Sequence, residues 1–366
     1  MKPRVALIHD WLTGMRGGEK ILEVFCELYP EADIFTLLHV PGSVSEIIEK
    51  HSINTSFLQH FPQIKKRYRH YLPFMPRAIE SLDLKGYELV LSSSHCVAKG
   101  CRPDSNAVHI CCCFTPMRYI WDQYDNYFGP DSPWVNRTAM KLLRPSLQQW
   151  DVESSRRVTH FIAISQFVAD RIKKYYKRDS DVIYPPADTD FYTLPQSRTN
   201  TADPYYLLVS ALAPYKKIDL AVRAFSTGAR KLKIVGTGQD AEKLRKLAGP
   251  NVEFLGWRNN DELRGLYQNC QALIFPGVED YGIVPVEAMS CGKPVIAYRA
   301  GGVTETVSEN VAGLFFERAD ETSLLDAVGR FEKQTWDSSK IRAHALKFSK
   351  TVFVSQMKQY LAKFQK

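Results

Sequence analysis

Two glutamates eight residues apart, Glu279 and Glu287 in EDYGIVPVEAMSCGKPVIA, are the residues of this chain best suited to chemistry. A Tyr281-Gly282 turn and Pro285 lie between them, and the pattern predicts a helix that begins near Glu287 and ends at Gly292, before a short apolar strand. A proline fits a first helical turn, where its missing N–H would have no partner. The backbone N–H groups of Ile283, Val284 and Val286 would then face out of a helix N-terminus, which is a ready anion site. Carboxylates on both sides of an anion site do not suit phosphate alone. They suit a phosphate flanked by hydroxyl-rich groups, as in a nucleotide-sugar.

Lys216-Lys217 follows an apolar run, in SALAPYKKID, where a lysine can neutralise a diphosphate as negative charge develops on it. Without the glutamate block the pair reads equally well as solvated lysines before a helix. Gly17-Gly18 lies in a loop between a first strand and a helix, and two residues without side chains allow close approach of a diphosphate. An ordinary glycine turn explains the pair as well. Gly236-Thr237-Gly238 lacks the third glycine of a dinucleotide fingerprint and reads as a tight strand-to-helix turn lining a cleft. His95, in SSSHC, ends a strand, so a neutral imidazole there can orient a hydroxyl or take its proton; a structural histidine is the competing reading. The aromatic run 119–128 divides between sugar stacking and core. Asp188-Thr189-Asp190 has the form of a metal-holding D-x-D but follows two prolines and lacks partner carboxylates, so a structural linker is the better reading.

These groups need a scaffold, and the chain alternates strand and helix throughout. Strands are expected at 5–9, 32–40, 87–92, 108–113 and 161–165, with a helix over 166–176. A stretch rich in Pro, Thr and Asp follows at 184–204 and reads as a linker. Beyond it come strands at 206–211, 232–236, 252–255 and 272–276 and helices at 219–225, 241–247 and 261–269, then a C-terminal helix from about residue 348. The expected architecture is α/β: two doubly wound, Rossmann-like domains, 1–187 and 188–348, facing each other across a cleft at the carboxyl ends of their sheets, with helix 349–366 free to pack back on the first.

At 366 residues, with 45% hydrophobic and 24% charged residues, the composition is that of a soluble globular chain of two domains. No apolar run approaches the roughly 20 residues of a bilayer span, and Val5–Ile8 is too short for an export signal, so a cytoplasmic protein is expected. Cys111, Cys112 and Cys113 are consecutive in a strand pattern whose side chains alternate between faces, and no C-x2-C pair exists, so neither zinc nor disulfides are expected. The net charge of +8 is concentrated in residues 61–77, where Lys65, Lys66, Arg67, Arg69 and Arg77 stand among aromatics and prolines without an acid. A solvated surface accounts for that, and so does a patch touching anionic lipid headgroups at the inner face of a membrane. No nucleic-acid motif accompanies it.

With Glu279, Glu287, Lys216 and the paired glycines in view, the chain resembles the retaining GT-B glycosyltransferases of glycosyltransferase family 4 nearly end to end. EDYGIVPVEAMSCGKPVIAYRAGGVTETV is similar to the family's E-x7-E block and the loop after it, and LAPYKKIDLAVRAF and CCCFTPMRYIWDQY resemble bacterial mannosyltransferases of O-antigen and exopolysaccharide synthesis. The resemblance implies a metal- and cofactor-independent hexosyltransferase that moves mannose from GDP-mannose to a glycan or polyprenyl-linked acceptor. It implies that Glu279 touches the donor sugar, Glu287 the ribose, Lys216 with Lys217 the diphosphate, Gly17 and Gly18 the diphosphate from the other domain, and Arg258 the base. Two departures stand out: Ala211 where many relatives have arginine, and Phe114 where many have histidine. A nucleotide-sugar epimerase or phosphorylase of the same fold, or a non-catalytic subunit, is the alternative.

Overall fold

The computed structural model describes residues 3–130, 132–196 and 203–364. The chain folds as two compact units, Met1–Pro185 together with Val354–Lys366, and Pro186–Phe353. The first contains β1 (Val5–His9), β2 (Asp33–Thr36), β3 (Ile53–Thr55), β4 (Leu89–Ser94), β5 (Val108–Cys113), β6 (His160–Ala163) and β7 (Asp181–Val182), ordered β3-β2-β1-β4-β5-β6-β7. The second contains β8 (Tyr205–Val209), β9 (Lys231–Val235), β10 (Val252–Gly256), β11 (Leu273–Phe275), β12 (Val295–Tyr298) and β13 (Gly313–Phe316), ordered β10-β9-β8-β11-β12-β13. The strand pairs of both sheets run parallel.

Parallel sheets carry helices on both faces, which is why β1 and β4 are buried along their whole length. Each sheet reverses its strand order once, between β1 and β4 and between β8 and β11. At such a point the connections leave in opposite directions and open a crevice beyond the carboxyl ends of the strands, where ligands bind in this class of fold. His9, Asp10 and His95 leave the first reversal; Ser210 and Pro276 leave the second.

Strands Val5–His9 and Val108–Cys113 and helices Gln166–Tyr176 and Ala241–Leu247 lie where periodicity puts them. Three elements differ, each for a physical reason. The strand expected at 32–40 ends at Thr36, because Leu37 and Leu38 turn into a loop that pairs with the one leaving β1: Leu12 N–H donates to Leu38 O at 2.9 Å and Val40 N–H to Leu12 O at 2.9 Å. The strand expected at 87–92 runs on through Ser93 and Ser94. Their hydroxyl neighbours make this possible, since Ser92 Oγ meets His109 Nε2 at 2.8 Å and Ser93 Oγ meets His9 Nδ1 at 2.7 Å, so the buried serines are satisfied. Gly17 and Gly18, expected in a loop, form the first turn of helix Gly17–Leu28, whose start is fixed by Arg16 N–H donating to the Glu19 carboxylate at 3.0 Å.

Within the expected linker, residues 197–202 lie outside the described residues. The part before them is packed down. Ala187 N–H donates to Phe348 O, Thr189 is buried and its carbonyl accepts from Arg342, and the Tyr192 ring meets Tyr267 edge-on at 5.6 Å. Asp188 closes a turn by accepting from Phe191 N–H at 3.1 Å, which leaves the D-x-D in a structural role. Among the described residues no cluster of His, Cys, Asp or Glu is arranged to hold a metal, and no helix is long and apolar enough to cross a membrane. All eight cysteines are buried and unpaired with one another, and burial pushes the Cys26, Cys270 and Cys291 thiols up to about 12, far from a reactive thiolate at neutral pH.

Among the polar groups sealed in the first unit are an ion pair and a histidine. Lys99 Nζ pairs with Asp151 at 2.7 Å, and Trp121 and Tyr176 donate to the other oxygen of that carboxylate, tying the long helix Trp134–Ser155 to the turn after β4, the loop after β5 and helix Gln166–Tyr176. His109 is fully buried, and burial, aided by the charges of Lys99 and Arg157, lowers its pKa from 6.5 to about 4. The unfolded chain takes up this proton near pH 6.5 while the folded chain resists until about pH 4. Stability from this group is therefore complete above pH 6.5 and lost as pH falls through that window. Acidification from pH 7 to pH 5 should cost the first unit about 2 kcal/mol, a fall of roughly 4–8 °C in its melting temperature. His109→Gln should flatten that dependence, and calorimetry on both proteins at the two pH values measures it; an unchanged slope in the variant would assign the effect elsewhere.

Candidate active site

In the second unit the chain brings Lys216 and Glu279 into direct contact. Lys216 closes a short turn, Pro214–Lys216, after β8, and Glu279 follows β11. Lys216 Nζ lies 2.5 Å from Glu279 Oε1, with the two side chains 12% and 26% exposed. They line a concavity with Val209, Ser210, Phe275 and Gly277 at the carboxyl ends of β8 and β11. The sequence separates these two charges by more than sixty residues, and only the parallel pairing of β8 with β11 joins them.

Backbone packing fixes the positions of both. A Cβ on Gly277 would lie 2.8 Å from the Lys216 carbonyl oxygen, and a Cβ on Gly301 or Gly302 would lie 2.5 or 2.4 Å from the Glu279 or Asp280 carbonyl. Glu279 pairs with Gly301 as an isolated bridge, and Gly302 N–H donates to Glu279 O at 2.8 Å. Gly236 adopts φ +133° and approaches Ser210 so closely that a Cβ would overlap its carbonyl, so this glycine presses the β9 turn onto the loop that carries the lysine. Lys217 is the next residue, exposed, with φ 53°, and starts helix Ile218–Ser226.

The glutamate block differs from expectation in its register. Its helix is Ile283–Ser290, capped by Gly282 at φ 87°, so Glu287 lies one turn inside it and not at its start. Glycine allows that left-handed cap, and the chain turns into the helix four residues early as a result. Ile283 and Val284 remain in the first turn, where N–H groups lack helical partners, whereas Val286 N–H falls where the helix itself uses it. Glu287 is buried and accepts from Tyr267 OH at 3.1 Å. The Tyr281 ring is buried and meets Phe348 edge-on at 6.3 Å, which makes it core. Arg258, just after β10, reaches its neighbour's carbonyl at 3.2 Å and Glu262 at 3.7 Å, beside a Trp257 that is 71% exposed.

The first unit gathers a second set. His95, Phe114, His9 and Gly18 meet at the carboxyl ends of β1, β4 and β5: Phe114 lies with its ring centroid 6.4 Å from that of each histidine, and a Cβ on Gly18 would come within 2.7 Å of the Phe114 ring. Gly17 has open space around it. Asp10 beneath them is fully buried and pairs with His95 Nδ1 at 3.0 Å. Asp10, Gly277, Gly301, Gly302 and Tyr267 escaped the sequence reading. An Asp after an apolar strand and a Gly-Gly pair after the glutamate block were the available signals, and neither reveals its partner. On the outside of this unit, Lys65, Lys66, Arg67, Arg69 and Arg77 are exposed while Ile64, Tyr68, Leu72 and Met75 of the same segment are buried in the core. The helix Trp134–Ser155 exposes Trp134 and Leu142, at 74% and 77%, beside Arg137 and Lys141.

Residues 17–191 match the glycosyltransferase family 4 model and residues 193–348 match the model of glycosyl transferases group 1. The chain belongs to this glycosyltransferase family. Its fold is GT-B: sucrose-phosphate synthase from Thermosynechococcus elongatus superposes with a TM-score of 0.74 at 18% identity over 99% of both chains. The O-antigen chain mannosyltransferase RfbU of Salmonella typhimurium is 27% identical over 49% of this chain and 53% of its own length. A GDP-mannose-dependent alpha-(1-6)-phosphatidylinositol monomannoside mannosyltransferase of Mycobacterium tuberculosis is 32% identical over 45% of this chain and 50% of its own. The chain spans about half or less of the length of the curated relatives it matches.

In this glycosyltransferase the Gly301-Gly302 pair is the support that keeps the Glu279 backbone in place. Gly302→Ala should force the 279–281 backbone away, at a cost of roughly 1–3 kcal/mol. We expect a melting temperature lower by several degrees, with thermal unfolding as the measurement and Gly329→Ala, where a Cβ meets nothing, as the control.

Proposed function

We propose that this glycosyltransferase transfers a hexose, mannose from GDP-mannose, with retention, to a glycan or polyprenyl-linked acceptor in cell-surface polysaccharide synthesis. The observation that carries the reading is the Lys216–Glu279 contact at the strand reversal of the second unit. A lysine there supplies positive charge for a diphosphate, and a carboxylate beside it accepts from sugar hydroxyls. In the absence of ligand the two neutralise each other, and a nucleotide-sugar would draw them apart, each toward its complementary group. Glu287 and the Ile283 and Val284 N–H groups lie on the same element and are assigned to ribose and phosphate; Arg258 is assigned to the base. The names of the Salmonella and Mycobacterium relatives support mannose, and that of the latter supports GDP-mannose.

In the reaction the bond from the sugar anomeric carbon to the diphosphate breaks and a bond to the acceptor oxygen forms on the same face. The acceptor's proton passes to the departing diphosphate oxygen, whose charge Lys216 balances. No metal or other cofactor enters this scheme. Glu279→Ala should lower transfer about 100-fold or more, while the rise in melting temperature with GDP-mannose persists in reduced form. Wild-type turnover in that variant, a larger thermal shift from a UDP- or ADP-sugar, or isomerisation of the donor without acceptor would each replace this assignment.

A lipid-linked acceptor places the enzyme at a membrane, and two surface features of the first unit support contact with anionic headgroups at its cytoplasmic face. One is the exposed basic segment 61–77. The other is the run 132–150, which exposes Trp134, Val135 and Leu142, carries Arg137, Lys141 and Arg144, and contains no acid. Vesicles of phosphatidylglycerol should sediment the protein at low salt and vesicles of phosphatidylcholine should not. Lys65→Glu with Lys66→Glu should weaken that binding about tenfold or more, at about 1 kcal/mol per charge near the surface; equal binding to both lipids would sink the idea.

A further inference from the structure

Asp10 accepts hydrogen bonds from four backbone N–H groups and has no part in the scheme above. Its Oδ1 accepts from the backbone N–H groups of Val97 and Ala98, both at 2.7 Å, and its Oδ2 from those of His95 and Cys96 at 2.7 and 3.0 Å. The ring Nδ1 of His95 is a fifth partner, 3.0 Å from Oδ2. Five donors converge on its two oxygens, an arrangement that keeps a carboxylate ionised even when it is fully buried. An ionised carboxylate only accepts, so Nδ1 must donate to it, and in the neutral ring Nε2 is left with its lone pair.

The ring cannot readily turn away from this arrangement. Trp11 meets it edge-on at 4.6 Å, Phe114 lies nearly parallel to it at 6.4 Å, and its own backbone N–H is held by Asp10. One third of the His95 side chain is exposed, and among the described residues Nε2 has no partner. The neighbouring His9 is a useful contrast. It is buried, with Nδ1 on Ser93 Oγ at 2.7 Å and Nε2 toward Glu19 at 3.7 Å, so both nitrogens are engaged and it serves the fold. Of the two histidines at the strand reversal, His95 alone offers a group to a ligand. A lone pair on a neutral ring takes a hydrogen-bond donor, and in a glycosyltransferase the abundant neutral donor is a sugar hydroxyl.

We propose that Asp10 and His95 form the hydroxyl-binding subsite of the first unit, in which Asp10 positions the ring and His95 Nε2 accepts a hydrogen bond from a hydroxyl of the acceptor sugar. This rests on the glycosyltransferase reading and deepens it by giving the acceptor a place on the chain. His95 touches the substrate; Asp10 acts through it.

The test has two arms. Nitrogen NMR of the full chain labelled with ¹⁵N-histidine, followed through a pH titration and with His95 assigned by its loss in His95→Gln, should show the neutral ring protonated at Nδ1 with Nε2 bare. An Nε2–H tautomer would overturn the proposal whatever the acceptor is. The second arm measures GDP-mannose turnover with octyl α-D-mannoside as acceptor probe. Loss of one hydrogen bond should lower kcat/KM for the acceptor on the order of tenfold in His95→Phe, and His95→Gln should recover part of it through its amide oxygen. Asp10→Asn should fall in the same direction and add nothing to His95→Gln in the double variant, a non-additivity that a purely structural Asp10 would not give. Additive losses, or transfer unchanged in His95→Phe, would refute it. If Asp10→Asn does not fold, or if the probe is not used, the His95 tautomer in the wild type decides. The thermal shift with GDP-mannose is read on the same samples: its absence from every protein speaks against the donor reading, whereas its presence alongside a wrong tautomer speaks only against this subsite.

Discussion

The Lys216–Glu279 contact sets the demands that the rest of the second unit meets. Two opposite charges largely removed from water compensate each other, and removing one would leave the other uncompensated. Holding them that close requires the loop after β8 and the loop after β11 to meet backbone to backbone. Glycines at 236, 277, 301 and 302 stand where any Cβ would strike a carbonyl. The glycines are therefore the geometric condition for the ion pair, and the pair is the chemical reason for tolerating them.

The first unit solves a similar problem with other means. Its strand reversal is built around a fully buried carboxylate instead of a partly buried one. Asp10 caps the turn after β4 with four backbone N–H groups and thereby places an imidazole at the sheet edge. Phe114, standing where many relatives are expected to have histidine, packs between His9 and His95, and a Cβ on Gly18 would press against its ring. The resemblance leads one to expect Gly18 beside a diphosphate. The structure supplies a packing reason for the same glycine, and one residue can serve both.

Much of this fold was legible because parallel sheets impose strong signals: strands buried on both faces read as continuous apolar runs, and their helices carry amphipathic spacing. Where reading failed, a polar residue had found a partner far along the chain. Ser93 and Ser94 looked like a strand end and are strand, because His9 and the Ile8 carbonyl satisfy the first hydroxyl and the Lys99 N–H the second. Gly17 and Gly18 looked like a loop and are helix, because Glu19 caps the turn. The glutamate block was recognised from its spacing alone, and Pro285 does lie in the first helical turn, yet a left-handed Gly282 starts the helix at Ile283, so Glu287 lies one turn inside it and not at its start.

By itself the sequence determined the class of fold and the identity of the charged groups, since these follow from residue type, spacing and periodicity over short windows. It could not determine which groups meet. Glu279 and Glu287 share one segment, but the structure gives Glu279 to Lys216 and buries Glu287 against Tyr267. His9 and His95 are the same residue at equivalent strand ends, and only their neighbours make one structural and leave the other open to a ligand. The physical reason is common to all of these. A side chain's chemistry is set by its partners and its access to water, and in a parallel sheet those partners arrive from strands that are adjacent in space and distant in sequence.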